Sequence, residues 1–384
     1  MAFFRNFFIS VVVGIVAITF YPGLEPEIDF TAFEVAPPRP LEGKLALNEK
    51  LNNAEKLFEN EIHGPEAVVK HEGDLYMGVD GGHILKLSGG KLVPVVKLGK
   101  ACYGFKYEHQ CGRPLGIKFD KNGALYVADI YLGLYKVNVT TGQTEQLISM
   151  DTEIDGAKPQ IPNSVTVDSD GMVYWSDSST KYKSGLFEGL TSGSGRLIQY
   201  NPKTKKNKVL IANLHFANGV ELSADESFVI VAETMSSRVH RYYLKGPKQG
   251  KSEVFIDGLP GLPDNVKRDS QGNFLVSLVC PEYTPQILHI IGPFPNIRKF
   301  VARFLHLLVK IPSVKHAVGH FESILFLQGT RYTLLVISSQ GEIVDALHSV
   351  DGSLKGSTDV EEYNGAYYFG SPISKHLARV PLAK

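Results

Sequence analysis

The sequence has no excess charge of either sign and very few cysteines. Its 384 residues include 40 basic and 40 acidic side chains, and only three cysteines. A nucleic-acid-binding domain usually carries concentrated positive charge, so no nucleic-acid partner is indicated. Cys102 and Cys111 can close a loop in an oxidising compartment or remain two thiols. Cys280 is left over and is typical of a small buried apolar side chain.

Long apolar runs are scarce as well, and the one that matters lies at the N-terminus. The uncharged run from Phe7 to Tyr21 is borderline in length for a bilayer core of about 30 Å. Residues 19–22 (TFYP) are bulky where signal cleavage prefers small side chains, which favours an uncleaved anchor over a cleaved signal peptide. Arg5 precedes the run and acidic residues follow it. We therefore expect a cytoplasmic tail (1–6), a signal anchor (7–24) and a lumenal or extracellular body, as in a single-pass type II protein of the endoplasmic reticulum or plasma membrane.

Between the anchor and the main domain, residues 25–60 read as a stalk. The segment EVAPPRPLEG is rich in proline and predicts extended backbone. Within LNEKLNNAEKLFEN, the residues Leu47, Leu51, Ala54 and Phe58 recur at helical spacing and predict a short amphipathic helix. We expect this helix to pack on the domain rather than to bind a partner.

Further along the chain, one N-x-[ST] sequence makes Asn138 a candidate glycosylation site.

From residue 61 to 384 the chain is predicted to form a single repeated β domain. Six segments share a polar turn followed by an apolar strand, for example EGDLYMGVDGGHILKL, NGALYVADIYLGLYKV and NGAYYFGSPISKHLARV. Their spacing of roughly 50 residues corresponds to the four-stranded blade of a propeller. The fold class is therefore all-β, a six-bladed β-propeller with an N-terminal transmembrane helix and a short helical insertion. A β-sandwich with added hairpins is the alternative fold, and it does not require this period.

Each repeat also places one residue at the start of its innermost strand, and these residues should converge on the propeller axis. This column consists of Glu66, Leu115, Asn163, Asn218, Asp264 and Thr358. Two carboxylates with amide oxygens suit a hard divalent cation, and calcium tolerates such an irregular set better than magnesium. We expect Ca²⁺ to be held by Glu66, Asn163, Asn218 and Asp264, with Asn265 as a further contributor. The alternative is that these side chains cap their own strand starts.

The same residues carry a family resemblance. The column resembles that of the calcium-dependent six-bladed propellers, which include paraoxonase and gluconolactonase. The stretch CGRPLGIKFDKNGALYVADIYLGLYKV is more similar to the strictosidine synthase-like branch. The motifs AEKLFEN, FANGVELS, VAET, PDN and YNGAYYFGS resemble most closely the membrane-anchored animal members of that branch. The resemblance covers nearly the whole chain and implies a bound calcium ion and an esterase-like activity.

Two departures from these families limit the implied chemistry. The plant synthases have an acid–base glutamate at the start of the last blade, where this chain has Thr358, so the synthase reaction is not expected. Glu361 and Glu362 lie further into that strand and are predicted to face a neighbouring sheet or solvent. Paraoxonases have a histidine pair near the metal. Here only His71, His83 and His109 are available, and each reads as a surface or loop residue.

The insertion at 296–320 interrupts the β pattern. Phe300, Phe304, Leu307 and Leu308 recur at helical spacing beside Arg298, Lys299, Arg303 and Lys310. One interpretation is a basic amphipathic helix that touches the membrane or covers the channel mouth. The other is a helix packed on the propeller with its basic side chains in water.

Two functions remain open from the sequence. The first is a calcium-dependent hydrolase of small esters or lactones, with Asp264 as the catalytic carboxylate that positions or deprotonates water, or acts as nucleophile. The second is a non-catalytic, calcium-stabilised propeller that serves as a binding or adhesion surface. Fold alone does not decide between them.

Overall fold

Six four-stranded antiparallel sheets make up the body of the protein. The computed structural model describes residues 1–27, 29–102, 107–281, 283–311 and 320–382. Each sheet is formed by strands consecutive in the chain except the last, whose order is β22-β23-β24-β1. The predicted six-bladed β-propeller is therefore confirmed.

The strands of blades 1 to 3 run as follows: β2 Val68–His71, β3 Asp74–Val79, β4 His83–Ser88, β5 Lys91–Lys97; β6 Pro114–Phe119, β7 Ala124–Asp129, β8 Gly133–Asn138, β9 Thr144–Ile148; β10 Pro162–Val167, β11 Val173–Asp177, β12 Gly195–Asn201, β13 Lys206–Leu214. Blades 4 to 6 comprise β14 Ala217–Leu222, β15 Phe228–Glu233, β16 Arg238–Tyr243, β17 Ser252–Ile256; β18 Leu262–Arg268, β19 Phe274–Val279, β20 Tyr332–Ile337, β21 Ile343–Ser349; β22 Asp359–Tyr363, β23 Ala366–Gly370, β24 Leu377–Pro381, β1 Glu55–Leu57.

A recurrent turn joins the two inner strands of several blades. In blade 2 the Asp120 carboxylate accepts hydrogen bonds from the backbone N–H groups of Asn122 and Ala124, both at 2.9 Å. Gly123 then takes a positive φ of 80°, which glycine adopts without steric cost. Asp168 and Asp269 make the same bonds in blades 3 and 5. The repeated Asp-x-x-Gly of the sequence is thus a turn signature.

Residues 47–60, for which the sequence predicts a helix, close the propeller ring. Residues 47–60 contain no helix; they form turns and the strand β1, which pairs with β24 through Leu57↔Leu377. Leu51 is 1% exposed and packs in the core between blades 5 and 6, whereas Leu47 is 54% exposed. The helix prediction is therefore wrong. The unpaired outer edge of the last sheet selects a strand over the local helical pattern.

Helices lie outside the blades. They are α1 Ala2–Phe20, α2 Glu108–Cys111, α3 Gly185–Leu190, α4 Thr284–Ile291 and α5 Pro295–Val309. The α1 helix is long and apolar enough to cross a membrane and is almost entirely exposed. It begins five residues before the predicted anchor and includes Arg5 and Asn6. The predicted stalk lies against the propeller, since the backbone N–H of Arg39 donates to the carbonyl of Gly258 and Val35 is buried.

Candidate functional site

The predicted column lies where the innermost strands of the six blades begin. Its members are buried, with exposed fractions between 0 and 8%, as are Asn265 and the strands that carry them. Neighbouring innermost strands pack on one another; for example, the backbone N–H of Asn265 donates to the carbonyl of Thr358 at 3.2 Å. The structure thus places Glu66, Leu115, Asn163, Asn218, Asp264 and Thr358 in one ring around the axis.

A β-bulge accompanies the column in four blades. The pairing register shifts between Pro114 and Gly116 in blade 2, between Pro162 and Val165 in blade 3, between Ala217 and Val220 in blade 4, and between Pro263 and Val266 in blade 5. Each bulge contains the column residue. A bulge adds one residue to a strand and redirects a side chain, a device that is common beside functional sites.

Close approach of the blades explains the glycines that follow two column members. A Cβ atom at Gly116 would lie 2.5 Å from the carbonyl oxygen of Asn163. A Cβ at Gly219 would overlap the backbone of Val266. Only glycine permits these contacts, so the ring is narrow at this level.

Several oxygen atoms of the ring are buried and have no hydrogen-bond partner among the described residues. They are Asn163 Oδ1, Asn218 Oδ1 and Thr358 Oγ1. Asn218 Nδ2 donates to Thr234 Oγ1 at 3.3 Å, which leaves its carbonyl oxygen directed elsewhere. An unsatisfied buried polar atom costs about 1–3 kcal/mol, so three in one ring require a ligand or water. Oxygen donors beside the carboxylates of Glu66 and Asp264 fit a calcium ion.

This set of possible calcium ligands is unusual because few of them carry a negative charge. Among the described residues, no group of three or more His, Cys, Asp or Glu side chains is arranged to hold a metal ion. The ring has only two carboxylates, and its other donors are amide and hydroxyl oxygens. Leu115 offers no donor at all.

An apolar layer lies immediately before the column in the sequence. Ile161, Phe216 and Leu262 each stand two residues before a column member, and they pack in one buried cluster with Leu115 of the column. Residues from outside the blades cover this layer. They are Val35 of the N-terminal segment, Leu288 of α4, and Phe321 and Leu325. Any molecule that reaches the ring from this side meets an apolar surface.

On the other side of the column the channel is filled by paired charges. Lys118 Nζ lies 2.5 Å from a Glu221 carboxylate oxygen, and Lys70 Nζ lies 3.3 Å from Glu361. Lys267 Nζ lies 3.3 Å from Asp359. All of these side chains except Asp359 line a cavity of about 400 Å³. Of the two alternatives predicted for Glu361, the structure shows the first: the side chain is 7% exposed and faces Lys70 of the neighbouring sheet of blade 1.

The three candidate histidines lie elsewhere. His71 stacks on Phe119 with ring centroids 3.9 Å apart, His83 begins β4, and His109 contacts Gln110. Sequence reasoning missed a different histidine. His215 is buried, its Nδ1 lies 3.2 Å from Glu233, and its Nε2 has no hydrogen-bond partner. Its position three residues before a column member was the available signal.

Carboxylates at the ends of the second strands were also missed. Asp129 accepts from the backbone N–H groups of Tyr131 and Leu132, and Asp177 accepts from those of Gln160 and Ile161. Glu233 of blade 4 accepts from the backbone N–H of His215. These acids fix the loops that carry the column. The recurrent endings LYVAD, VYWSD and VIVAE were the signal.

Burial and hydrogen bonding shift the pKa values of several ionisable groups. Desolvation raises the pKa of Glu188 in α3 to about 7 and that of Glu108 in α2 to about 7. Burial also raises the pKa of Cys280 to about 12, with a further contribution from Asp264. Glu233 behaves oppositely, because hydrogen bonds from His215 and His240 and the charge of Arg238 outweigh its burial and hold its pKa well below the usual value.

The remaining predictions from the sequence have mixed outcomes. The Cys102–Cys111 disulfide is confirmed. Cys280 lies outside it and is buried, as expected. Asn138 is exposed at the end of β8, and its glycosylation stays a prediction.

In the insertion, α5 is confirmed as a helix, and residues 312–319 of the predicted 296–320 segment lie outside the described residues. Two of its basic side chains are not in water. Arg298 is buried and donates to the carbonyl of Leu190, and Arg303 is buried against the end of α1.

Sequence comparison places relatives over almost the whole chain. Family models described as strictosidine synthase-like, N-terminal, and strictosidine synthase match residues 43–87 and 163–247. The chain is 38% identical to adipocyte plasma membrane-associated protein Hemomucin of Drosophila melanogaster, over 94% of this chain and 67% of that protein. It is 35% identical to the adipocyte plasma membrane-associated protein of Gallus gallus and 35% identical to that of Homo sapiens, each over 94% of this chain and 85% of the relative.

Solved structures share the fold at much lower identity. A gluconolactonase from Xanthomonas campestris is 14% identical with a TM-score of 0.56, over 93% of this chain and 99% of the other. Regucalcin from Agrobacterium tumefaciens, described as a calcium-binding protein, is 12% identical with a TM-score of 0.54, over 88% of this chain and 100% of the other. At such identities the similarity shows the propeller fold alone.

Proposed function

This chain belongs to the adipocyte plasma membrane-associated protein family, and from that premise we propose that it is a membrane-anchored, calcium-dependent hydrolase of small esters or lactones. The observation that carries the proposal is the set of buried oxygens on the axis that have no partner in the part of the chain that the structure describes, beside the carboxylates of Glu66 and Asp264. The shared fold of a gluconolactonase and a calcium-binding regucalcin supports it.

Glu66, Asn163, Asn218 and Asp264 are the residues that would hold calcium, with Asn265 adjacent. Asn163, Asn218 and Asp264 stand in β-bulges, and the four residues belong to four different blades of the ring. A bound calcium ion would polarise a carbonyl oxygen as a Lewis acid. Without a cation, two carboxylates on a narrow buried ring would repel each other.

Asp264 is the residue proposed to act on the reacting water. Asp264 is 8% exposed, the largest exposed fraction in the ring, and its charge adds to the effect of burial in raising the pKa of Cys280, which belongs to the apolar cluster. A carboxylate there can orient water and accept its proton. The apolar layer of Ile161, Phe216 and Leu262 would meanwhile exclude bulk water and favour esters or lactones with an apolar acyl group.

The anchor gives the proposed location. The α1 helix of 19 residues has a length of about 28 Å, close to the thickness of a bilayer core. Arg5 near its start and the disulfide of the body favour a type II orientation with the propeller in the lumen or outside the cell.

Hydrolysis of phenyl acetate by the purified full chain, with calcium and after chelation, tests the proposal. We expect turnover that requires calcium and that Asp264→Ala abolishes. The matched control is Asn201→Ala, which removes a turn side chain far from the axis. Absence of turnover in a folded, calcium-binding protein would reject the hydrolase and leave the binding propeller as the function.

A further inference from the structure

The helical insertion of blade 5 exposes an apolar stripe on its outer side. On α5 and just beyond it, Ile297, Phe304 and Ile311 are 49, 44 and 49% exposed and lie seven residues apart, which places them on one face of a helix. Ile287 and Ile290 of α4 are 50 and 61% exposed. A soluble surface rarely carries so many large apolar side chains together, so this stripe marks a contact with something apolar.

The opposite side of α5 is fixed on the propeller. Ala302 packs with Phe187 and Leu190 of α3. Arg298 Nη1 donates to the carbonyl of Leu190 at 2.9 Å, and its guanidinium lies over the ring of Phe33 with 4.4 Å to the centroid. The orientation of the stripe is therefore determined by packing on the body of the protein.

The end of α1 is attached to this same helix. Arg303 Nη1 donates to the carbonyls of Ile18, Thr19 and Tyr21, at 3.3, 3.0 and 3.0 Å. The last carbonyls of a helix lack partners within it and carry partial negative charge, so a guanidinium there is favourable. Phe20 and Tyr21 are exposed aromatic residues at this end, as is common where a spanning helix leaves the bilayer.

We propose that the apolar stripe of α4 and α5 lies in the lipid layer beside α1 as a second, monotopic membrane contact. The proposal rests on the anchoring role of α1 given above. Because α5 holds the last turn of α1, α5 lies at the depth where the spanning helix ends. A helix at that depth with an apolar outer face inserts its side chains at the boundary between headgroups and acyl chains.

The contact is predicted to depend on apolar burial more than on charge. Arg298 and Arg303, half of the basic residues expected to face anionic lipid, are committed to backbone carbonyls. The insertion joins β19 to β20 at the end of the propeller where the column lies. When the stripe lies in the lipid layer, the end of the channel that carries the column therefore faces the bilayer.

Quenching of introduced tryptophans by lipids brominated in their acyl chains tests the contact. The full chain is reconstituted in nanodiscs as Ile290→Trp, Phe304→Trp, Phe8→Trp or Val344→Trp. Phe8 lies in α1, and Val344 is 42% exposed at the far end of blade 5. The native Trp175 is completely buried in blade 3 and gives a constant background.

We expect quenching at positions 290 and 304 that is several-fold stronger than at position 344. Quenching at position 8 but not at 290 or 304 would overturn the second contact and retain the anchor. Quenching at 290 and 304 without position 8 would support the contact and reject the anchor. Quenching at none of the three would overturn both. The substitutions exchange one exposed apolar side chain for another, and equal melting temperatures will verify that each variant is folded.

Discussion

Replacement of Leu51 by alanine tests how the propeller ring is closed. Leu51 is 1% exposed and packs with Val360 and Phe369 of blade 6, and its backbone N–H donates to the carbonyl of His348. Removal of a fully buried leucine side chain costs about 2–5 kcal/mol. We take about 3 kcal/mol, because the site lies near the surface of the ring and can relax in part.

The matched control is Leu47→Ala, four residues earlier in the same segment. Leu47 is 54% exposed, so its truncation should change the free energy of unfolding by no more than about 0.5 kcal/mol. A loss of about 3 kcal/mol corresponds to a melting temperature lower by roughly 4 to 5 °C in a domain of this size. Circular dichroism at a fixed scan rate measures both variants.

The two interpretations of the segment predict different outcomes. In an amphipathic helix Leu47 and Leu51 would share one face, and both substitutions would cost similar amounts. In the closed ring only Leu51 is in the core. Equal shifts for the two variants would refute the closure described here.

Three further predictions concern charges and the disulfide. Lys267→Met should cost at least about 3 kcal/mol because it leaves Asp359 without its buried partner. Lys86→Met should cost less than about 1 kcal/mol because its partner Asp74 is near the surface, and denaturant titration compares the two variants. Since burial raises the pKa of Glu188 from 4.5 to about 7, the folded state retains a proton that the unfolded chain releases, so wild-type stability should fall as the pH rises from 4.5 through 7. Glu188→Gln should remove at most about 3 kcal/mol of that fall, and an unchanged pH profile would contradict the assignment. Cys102→Ser with Cys111→Ser should lower stability by about 2–3 kcal/mol through the entropy of the opened loop, and no loss in non-reducing buffer would contradict it.

The repeat could be predicted from the sequence because every blade of a propeller has the same pattern of strands and turns. The polar turns, the apolar strands and the column all recur at the blade period, so the positions of Asn163 and Asp264 followed from counting back from the turn glycine, and that of Asn218 from its ANGV context. The disulfide was similarly local. What these features share is that each depends on residues close together in the chain.

The misread features depend on distant partners. Leu51, Ala54 and Phe58 have helical spacing. The segment nevertheless forms a strand, because it pairs with an open sheet edge hundreds of residues away in the chain. Arg298 and Arg303 resemble a solvated basic face, but backbone carbonyls of α3 and α1 bind them. The bulges at the column are also invisible in the sequence, because they are defined only by the pairing of two strands.

Isothermal titration calorimetry of the full chain after chelation measures whether the axial ring binds calcium. We expect saturable binding that Asp264→Asn or Asn218→Leu weakens strongly and Asn201→Ala leaves unchanged. Absence of calcium binding in the folded protein, or binding that survives both axial substitutions, would contradict the assignment of the ring as the metal site.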